Sequence, residues 1–263
     1  MTTTDLRPTS APSAPRRRRA RIAVVLVGAV AVAGLVATGS LLRAPAAPGP
    51  SAQAPSGPTT TVEGLAAYLE SVPGDWRSWS GLGSLQLERA RSTGSPEWYG
   101  RAEKSFRRSL QLQPDGNPPA LAGIAAVDAA RHDFAAAEDG ARAALAVNPL
   151  DATAQAILVD ALTELGRYDE ALAAADRLDS THPGLSSYTR LAYQEELRGH
   201  VAEALSLLAL AAADAATPAQ ASFARYQEGL LALQSGDVAR AERSYAAGAA
   251  AAPDDLSLLH LRA

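Results

Sequence analysis

The sequence predicts an all-α fold: a solenoid of about five helix-turn-helix units with cap helices, carried behind one N-terminal transmembrane helix. Three observations lead there. A short phrase recurs, as Gly166-Arg-Tyr-Asp-Glu-Ala171, Gly199-His-Val-Ala-Glu-Ala204 and Gly236-Asp-Val-Ala-Arg-Ala241, each with Gly five residues before Ala. Prolines punctuate the same stretch, at Pro114, Pro149, Pro183 and Pro253. One uncharged run, Ile22 to Leu42, stands apart near the N-terminus. Composition agrees. The chain is Ala- and Leu-rich, only 5% aromatic, and free of cysteine. Strand formers are scarce outside the uncharged run, and disulfides, thiolate nucleophiles and Cys-containing zinc sites are excluded.

Residues 1–21 form a basic tail. Through residue 43 the chain carries seven arginines (Arg7, Arg16, Arg17, Arg18, Arg19, Arg21, Arg43) against Asp5 alone, a balance of +6. The remainder holds 17 basic and 27 acidic residues, a balance of −10. An acidic solenoid is a poor match for a phosphate backbone, so nucleic acid is not an expected partner.

Residues 22–42 are long enough, at about 1.5 Å per helical residue, to cross a hydrocarbon core of roughly 30 Å. Five arginines lie just before the run and only Arg43 follows it. The positive-inside bias therefore puts the N-terminus in the cytoplasm and everything beyond Arg43 on the extracytoplasmic side of the cell membrane. Ala44-Pro45-Ala46 also fits a signal-peptide cleavage site. The run is longer than the usual signal core of about 7–15 residues, which favours a retained anchor over a secreted product. Ala29, Ala33 and Ala37 repeat at a small-xxx-small spacing suited to helix pairing, although an Ala-rich run produces that spacing readily. Residues 43–60, rich in Pro and Ala, cannot bury a core and read as an extended linker of at most about 3.1 Å per residue.

Residues 61–263 are the solenoid. Thr61 to Ser71 is expected as the N-terminal cap helix and Asp255 to Leu261 as the C-terminal one. Between them, Pro149 and Pro183 lie 34 residues apart. In the third unit Ile157, Leu158, Leu162 and Leu165 fall at helical spacing and define one apolar face. Gly166 ends that helix, and Tyr168, Ala171, Leu172 and Ala175 make the apolar face of the next. The small residues Ala171 and Ala175 permit close helix approach, and Arg167 reads as solvent-facing. In the second unit His132-Asp-Phe-Ala-Ala-Ala137 replaces the turn glycine by histidine.

These motifs resemble the tetratricopeptide repeat, whose pattern is W-x2-L-G-x2-Y, then Ala-x3-Phe, then Pro. The resemblance covers about residues 75–255. The first unit offers Trp79, Leu82, Gly83, Ala102, Phe106 and Pro114, with an insertion over Arg91 to Tyr99. The second offers Leu121, Ile124, Ala125, Ala137, Ala141 and Pro149. The third offers Leu158, Leu162, Ala171, Ala175 and Pro183. The fourth offers Tyr188, Leu191, Ala192, Ala204 and Leu208 but has Ala216 at the proline position. The fifth offers Gly229, Ala241, Tyr245 and Pro253, with Glu228 replacing leucine.

The resemblance implies that the first helix of each pair lines a concave groove. Its groove-facing residues are Arg77, Ser80, Ser84 and Glu88 in the first unit, Ala122 and Ala126 in the second, and Thr153, Asp160, Thr163 and Glu164 in the third. In the fourth they are Ser186, Thr189, Tyr193 and Glu196, and in the fifth Phe223, Tyr226, Leu230 and Leu233. The family's carboxylate-clamping Lys and Asn are missing from this face. From these residues the expected partner-binding set is Tyr193, Phe223, Tyr226, Asp160, Glu196 and Thr189. The aromatics are either ligand anchors or core, and Asp160 and Glu196 bias the groove toward a basic ligand.

No chemistry is expected. His132, His182, His200 and His260 share no metal-ligand spacing, and neither a phosphate loop nor a nucleophile elbow is present. No cofactor, metal or small-molecule substrate is implied. The expected function is that of a non-enzymatic, membrane-anchored scaffold for a protein or peptide. An assembly or stability factor for a neighbouring membrane protein, pairing through residues 22–42, is the alternative.

Overall fold

The computed structural model describes residues 61–253. The basic tail, the transmembrane run, the linker and the Asp255 to Leu261 cap lie outside the described residues. Among the described residues all regular structure is α-helical, and no helix is long and apolar enough to cross a membrane. The order is α1 (Val62–Ser71), α2 (Trp76–Thr93), α3 (Glu97–Leu112), α4 (Pro118–Ala130), α5 (Phe134–Val147), α6 (Ala152–Glu164), α7 (Tyr168–Thr181), α8 (Leu185–Leu197), α9 (Val201–Ala213), α10 (Pro218–Ser235) and α11 (Val238–Ala251). Helix α1 is the expected cap, and α2 through α11 form five successive pairs.

Local chemistry sets the boundaries. Thr61, Asp75, Asn117, Asp133, Asp151, Thr217 and Asp237 each accept a backbone N–H in the first turn of the helix they precede. Each cap satisfies a donor that the helix itself cannot. Within pairs two to five the turn passes through a left-handed residue: His132 (φ 63°), Gly166 (75°), Gly199 (81°) and Gly236 (90°). Histidine thus takes the glycine conformation in the second unit, at a steric cost of about 1–2 kcal/mol, and its ring meets Phe134 edge-on at 5.5 Å.

Two units depart from the pattern. The first-unit insertion lengthens the helices on either side of a turn at residues 94–96: α2 runs 18 residues, against 13 for α4, α6 and α8. Trp98 fastens the lengthened hairpin, lying 4.5 Å from the Arg89 guanidinium and 4.4 Å from that of Arg101. Where Ala216 replaces proline, a reciprocal Thr217–Gln220 capping box with Pro218 behind it starts α10 instead. Glu228, at a leucine position, is buried. Arg225 and Arg240 hold it at 2.7 and 2.8 Å. Burial alone would push its carboxyl up; hydrogen bonds from Arg240 and Arg225 outweigh this and hold it below the usual carboxylate value.

Small residues let the pairs close. Ala102, Ala137, Ala141, Ala171, Ala175 and Ala204 are fully buried where helices cross. One core cluster runs from Leu87 to Leu191, and a second, including Ala192, Leu205, Leu208 and Leu231, binds the last two pairs. A third joins Leu65 and Leu69 of α1 to Leu82 of α2.

Two expectations are corrected. Leu165 is 39% exposed and Tyr168 is 47% exposed, so neither belongs to the stripes of Ile157, Leu158 and Leu162 or of Ala171 and Ala175. Both sit where the chain turns between α6 and α7, at the end of the pair, where the neighbouring pair covers them only in part. Nor is Arg167 a bare solvent residue. It donates to Glu138 of the preceding pair at 2.7 Å and to Glu170. It belongs to a ladder that ties each of the first four units to the element before it: Arg89 to Glu63 of α1, Arg131 to Glu103 (2.6 Å), Arg167 to Glu138, and Arg198 to Asp169 (3.4 Å).

Candidate interaction groove

The first helices α4, α6, α8 and α10 follow one another along one side of the stack. Counting back from each left-handed turn residue puts their facing positions in register. In α4 the face is closed, since Ala122 and Ala126 are buried. In α2, Ser80 is buried, Ser84 bonds its own helix through Ser80 O, Arg77 lies over Trp76, and Glu88 pairs with Arg91.

Between α6 and α8 a polar seam replaces the expected open groove. Asp160 receives Arg190 Nε at 2.8 Å and Nη2 at 2.7 Å, a two-pronged pair. Arg190 is 5% exposed; its Nη1 donates to Ser186 O and Ser186 Oγ, and its Nε is shared between Asp160 and Ala156 O. Gln194, also buried, donates to Thr163 Oγ1 at 2.8 Å. Thr189 turns back onto Leu185 O. Asp160 and Thr189 are therefore engaged within the fold. Arg190 and Gln194 went unread in the sequence. The signal was there: an arginine beside the apolar Leu191 stripe needs a carboxylate, and the adjacent first helix offers Asp160.

Beyond this seam the face opens. Tyr193 is 36% exposed. Burial first, then the charges of Glu164 and Glu196 and the Tyr168 phenol, push its phenol pKa up and so disfavour ionisation. Glu196 is half-buried, and burial holds its carboxyl above the usual range. Phe223 and Tyr226 are half-buried, and the Tyr226 ring lies 6.1 Å from that of Tyr245 in α11. The structure thus brings Tyr193 together with Glu164, Glu196 and Tyr168, while Tyr226 takes an aromatic neighbour from its own unit. Among the described residues no group of three or more His, Asp or Glu is placed to hold a metal ion.

No protein-family model matches the sequence, and no curated protein does. Solved structures do. TTC0263, a thermophilic TPR protein of Thermus thermophilus, superposes with a TM-score of 0.58 at 22% identity, over 68% of this chain and 96% of that one. PilW, a type IV pilus biogenesis factor, gives 0.57 at 17% identity, over 76% and 89%. Yeast Tom70 gives 0.56 at 18%, over 76% of this chain and 41% of its own length. At such identities the likeness speaks for the fold. Left-handed turns in four successive pairs, alanines at each crossing and these superpositions agree, and the chain folds as a tetratricopeptide-repeat solenoid.

Proposed function

We propose that this chain is a membrane-anchored scaffold that holds a protein or peptide segment on the first-helix face of its solenoid, outside the cytoplasm. The observation that carries the reading is the change along that face. Units two and three present buried alanines and spent polar groups, whereas units four and five present Tyr193, Phe223 and Tyr226 only partly covered. Partly exposed aromatics at such a place suit anchoring of a partner. The anchor itself rests on the uncharged Ile22 to Leu42 run behind its arginines.

Two measurements test it. A partner crosslinked in intact cells should be lost from Tyr226→Ala, with affinity down by roughly 2 kcal/mol or more and the thermal melt close to wild type. A loss of about 3–5 kcal/mol in unfolding free energy, read as a markedly lowered melting temperature, would instead assign Tyr226 to the core. For topology, the cysteine-free chain reports cleanly. Ser56→Cys should react with a membrane-impermeant thiol reagent in intact cells, and Ser10→Cys should not. The reverse pattern overturns the orientation.

A further inference from the structure

Four large apolar side chains are exposed at the ends of α6 and α8 and the start of α7: Leu165 (39%), Tyr168 (47%), Tyr193 (36%) and Leu197 (41%), with Tyr168 and Tyr193 near enough to act on one another. Arg198, the residue after Leu197, donates to Tyr168 O at 3.0 Å, which fixes the end of α8 against the start of α7. Two carboxylates, Glu164 and Glu196, share the patch. Neither forms an ion pair or a side-chain hydrogen bond with another described residue. The arginines nearby are committed elsewhere: Arg190 to Asp160, Arg167 to Glu138 and Glu170, Arg198 to Asp169 and two backbone carbonyls. The other buried or half-buried acids of α6, α8 and α10 have each found a cation or an imidazole: Asp160 has Arg190, Glu228 has two arginines, and Glu195 has His200. Glu196 is the exception, half-buried and unmatched.

We infer that this patch seats a lysine or arginine of the partner between Glu164 and Glu196 over the Tyr193 ring, with flanking apolar residues against Leu165, Tyr168 and Leu197. The inference rests on the reading of the first-helix face as a binding surface and names the partner's chemistry: an apolar segment bearing positive charge. Charge complementarity selects it. An acidic segment would add repulsion to two unmatched carboxylates. An uncharged one would bury Glu196 further with nothing to offset its desolvation. A cation over a tyrosine face gains from the ring quadrupole as well.

The test uses the full chain in phosphatidylcholine nanodiscs, with empty discs as the reference. Three dye-labelled dodecapeptides are titrated by fluorescence anisotropy: alternating Leu and Lys, Leu and Gln, and Leu and Glu. The Leu–Lys peptide is expected to bind at least tenfold tighter than Leu–Gln, with no binding by Leu–Glu, and to weaken at about 0.5 M salt. The double variant E164Q/E196Q should lose at least tenfold in affinity for Leu–Lys while melting no lower than wild type. The double variant E203Q/E242Q, which removes exposed acids from second helices, should bind as wild type does. If Leu–Lys binding survives E164Q/E196Q but falls with Tyr226→Ala, the groove stands and the cation seat is overturned. If Leu–Gln binds as tightly as Leu–Lys, the cation seat is likewise overturned. If no peptide binds, the groove reading falls and takes the seat with it.

Discussion

Asp160→Ala is expected to lower the stability of the solenoid by about 3–5 kcal/mol, the usual consequence of removing one partner from a buried pair. The arithmetic is one of desolvation. Arg190 is 5% exposed, and two of its five hydrogen bonds, the shortest being 2.7 Å, end on the Asp160 carboxylate. Ser186 and Ala156 supply neutral oxygens only, so without Asp160 a full positive charge stays buried between α6 and α8. Replacing both members by apolar residues, as Asp160→Leu with Arg190→Met, should recover most of the loss, because the charge and its need for a counterion leave together. A urea titration followed by circular dichroism measures both. A single variant within about 1 kcal/mol of wild type would show that water reaches Arg190 and that the seam is peripheral. The same experiment bears on function, since a weakened Asp160 variant that also loses its partner says nothing about the groove.

Asp160 shows where sequence reading stops. Its place on the first-helix face was legible from the distance to Gly166, because helical period and turn residue fix register within a unit. What it touches was not legible, because Arg190 lies 30 residues away in the next unit, and its partner depends on how far one helix slides along another. The same limit explains Arg167, legible as a surface residue but not as a bridge to Glu138. Cap and turn chemistry is local and read well: Thr61 and the histidine turn at His132 stand where the spacing put them. Leu165 and Tyr168 fit an apolar stripe by spacing, yet they stand exposed because burial at the end of a helix pair depends on whether the neighbour reaches that far. Tyr193 was placed on the open face from register alone. The company it keeps, Tyr168 from a second helix, needed the fold.

Phe106→Ala should produce a loss of similar size by a different route, about 3–5 kcal/mol from transfer and cavity terms together. Phe106 is 1% exposed and is the largest of the fully buried side chains among the described residues. Its ring fills a slot that two glycines leave open: a Cβ built on Gly83 would fall 2.7 Å from the ring and one on Gly123 only 2.3 Å away. One ring therefore locks α3 to its own first helix, α2, and to α4 of the next unit. Gly123→Ala should consequently destabilise as well, by about 1–3 kcal/mol of overpacking. Phe106→Leu should relieve much of that cost, so the two changes should combine to less than their sum. The damage should also be local. The last two pairs hold a core cluster of their own, and in a solenoid each unit contacts only its neighbours. Hydrogen exchange in Phe106→Ala should accelerate most in α2 through α4 and least in α10 and α11. Uniform acceleration along all five pairs would mean that the stack unfolds as one unit and that the slot is not a local joint.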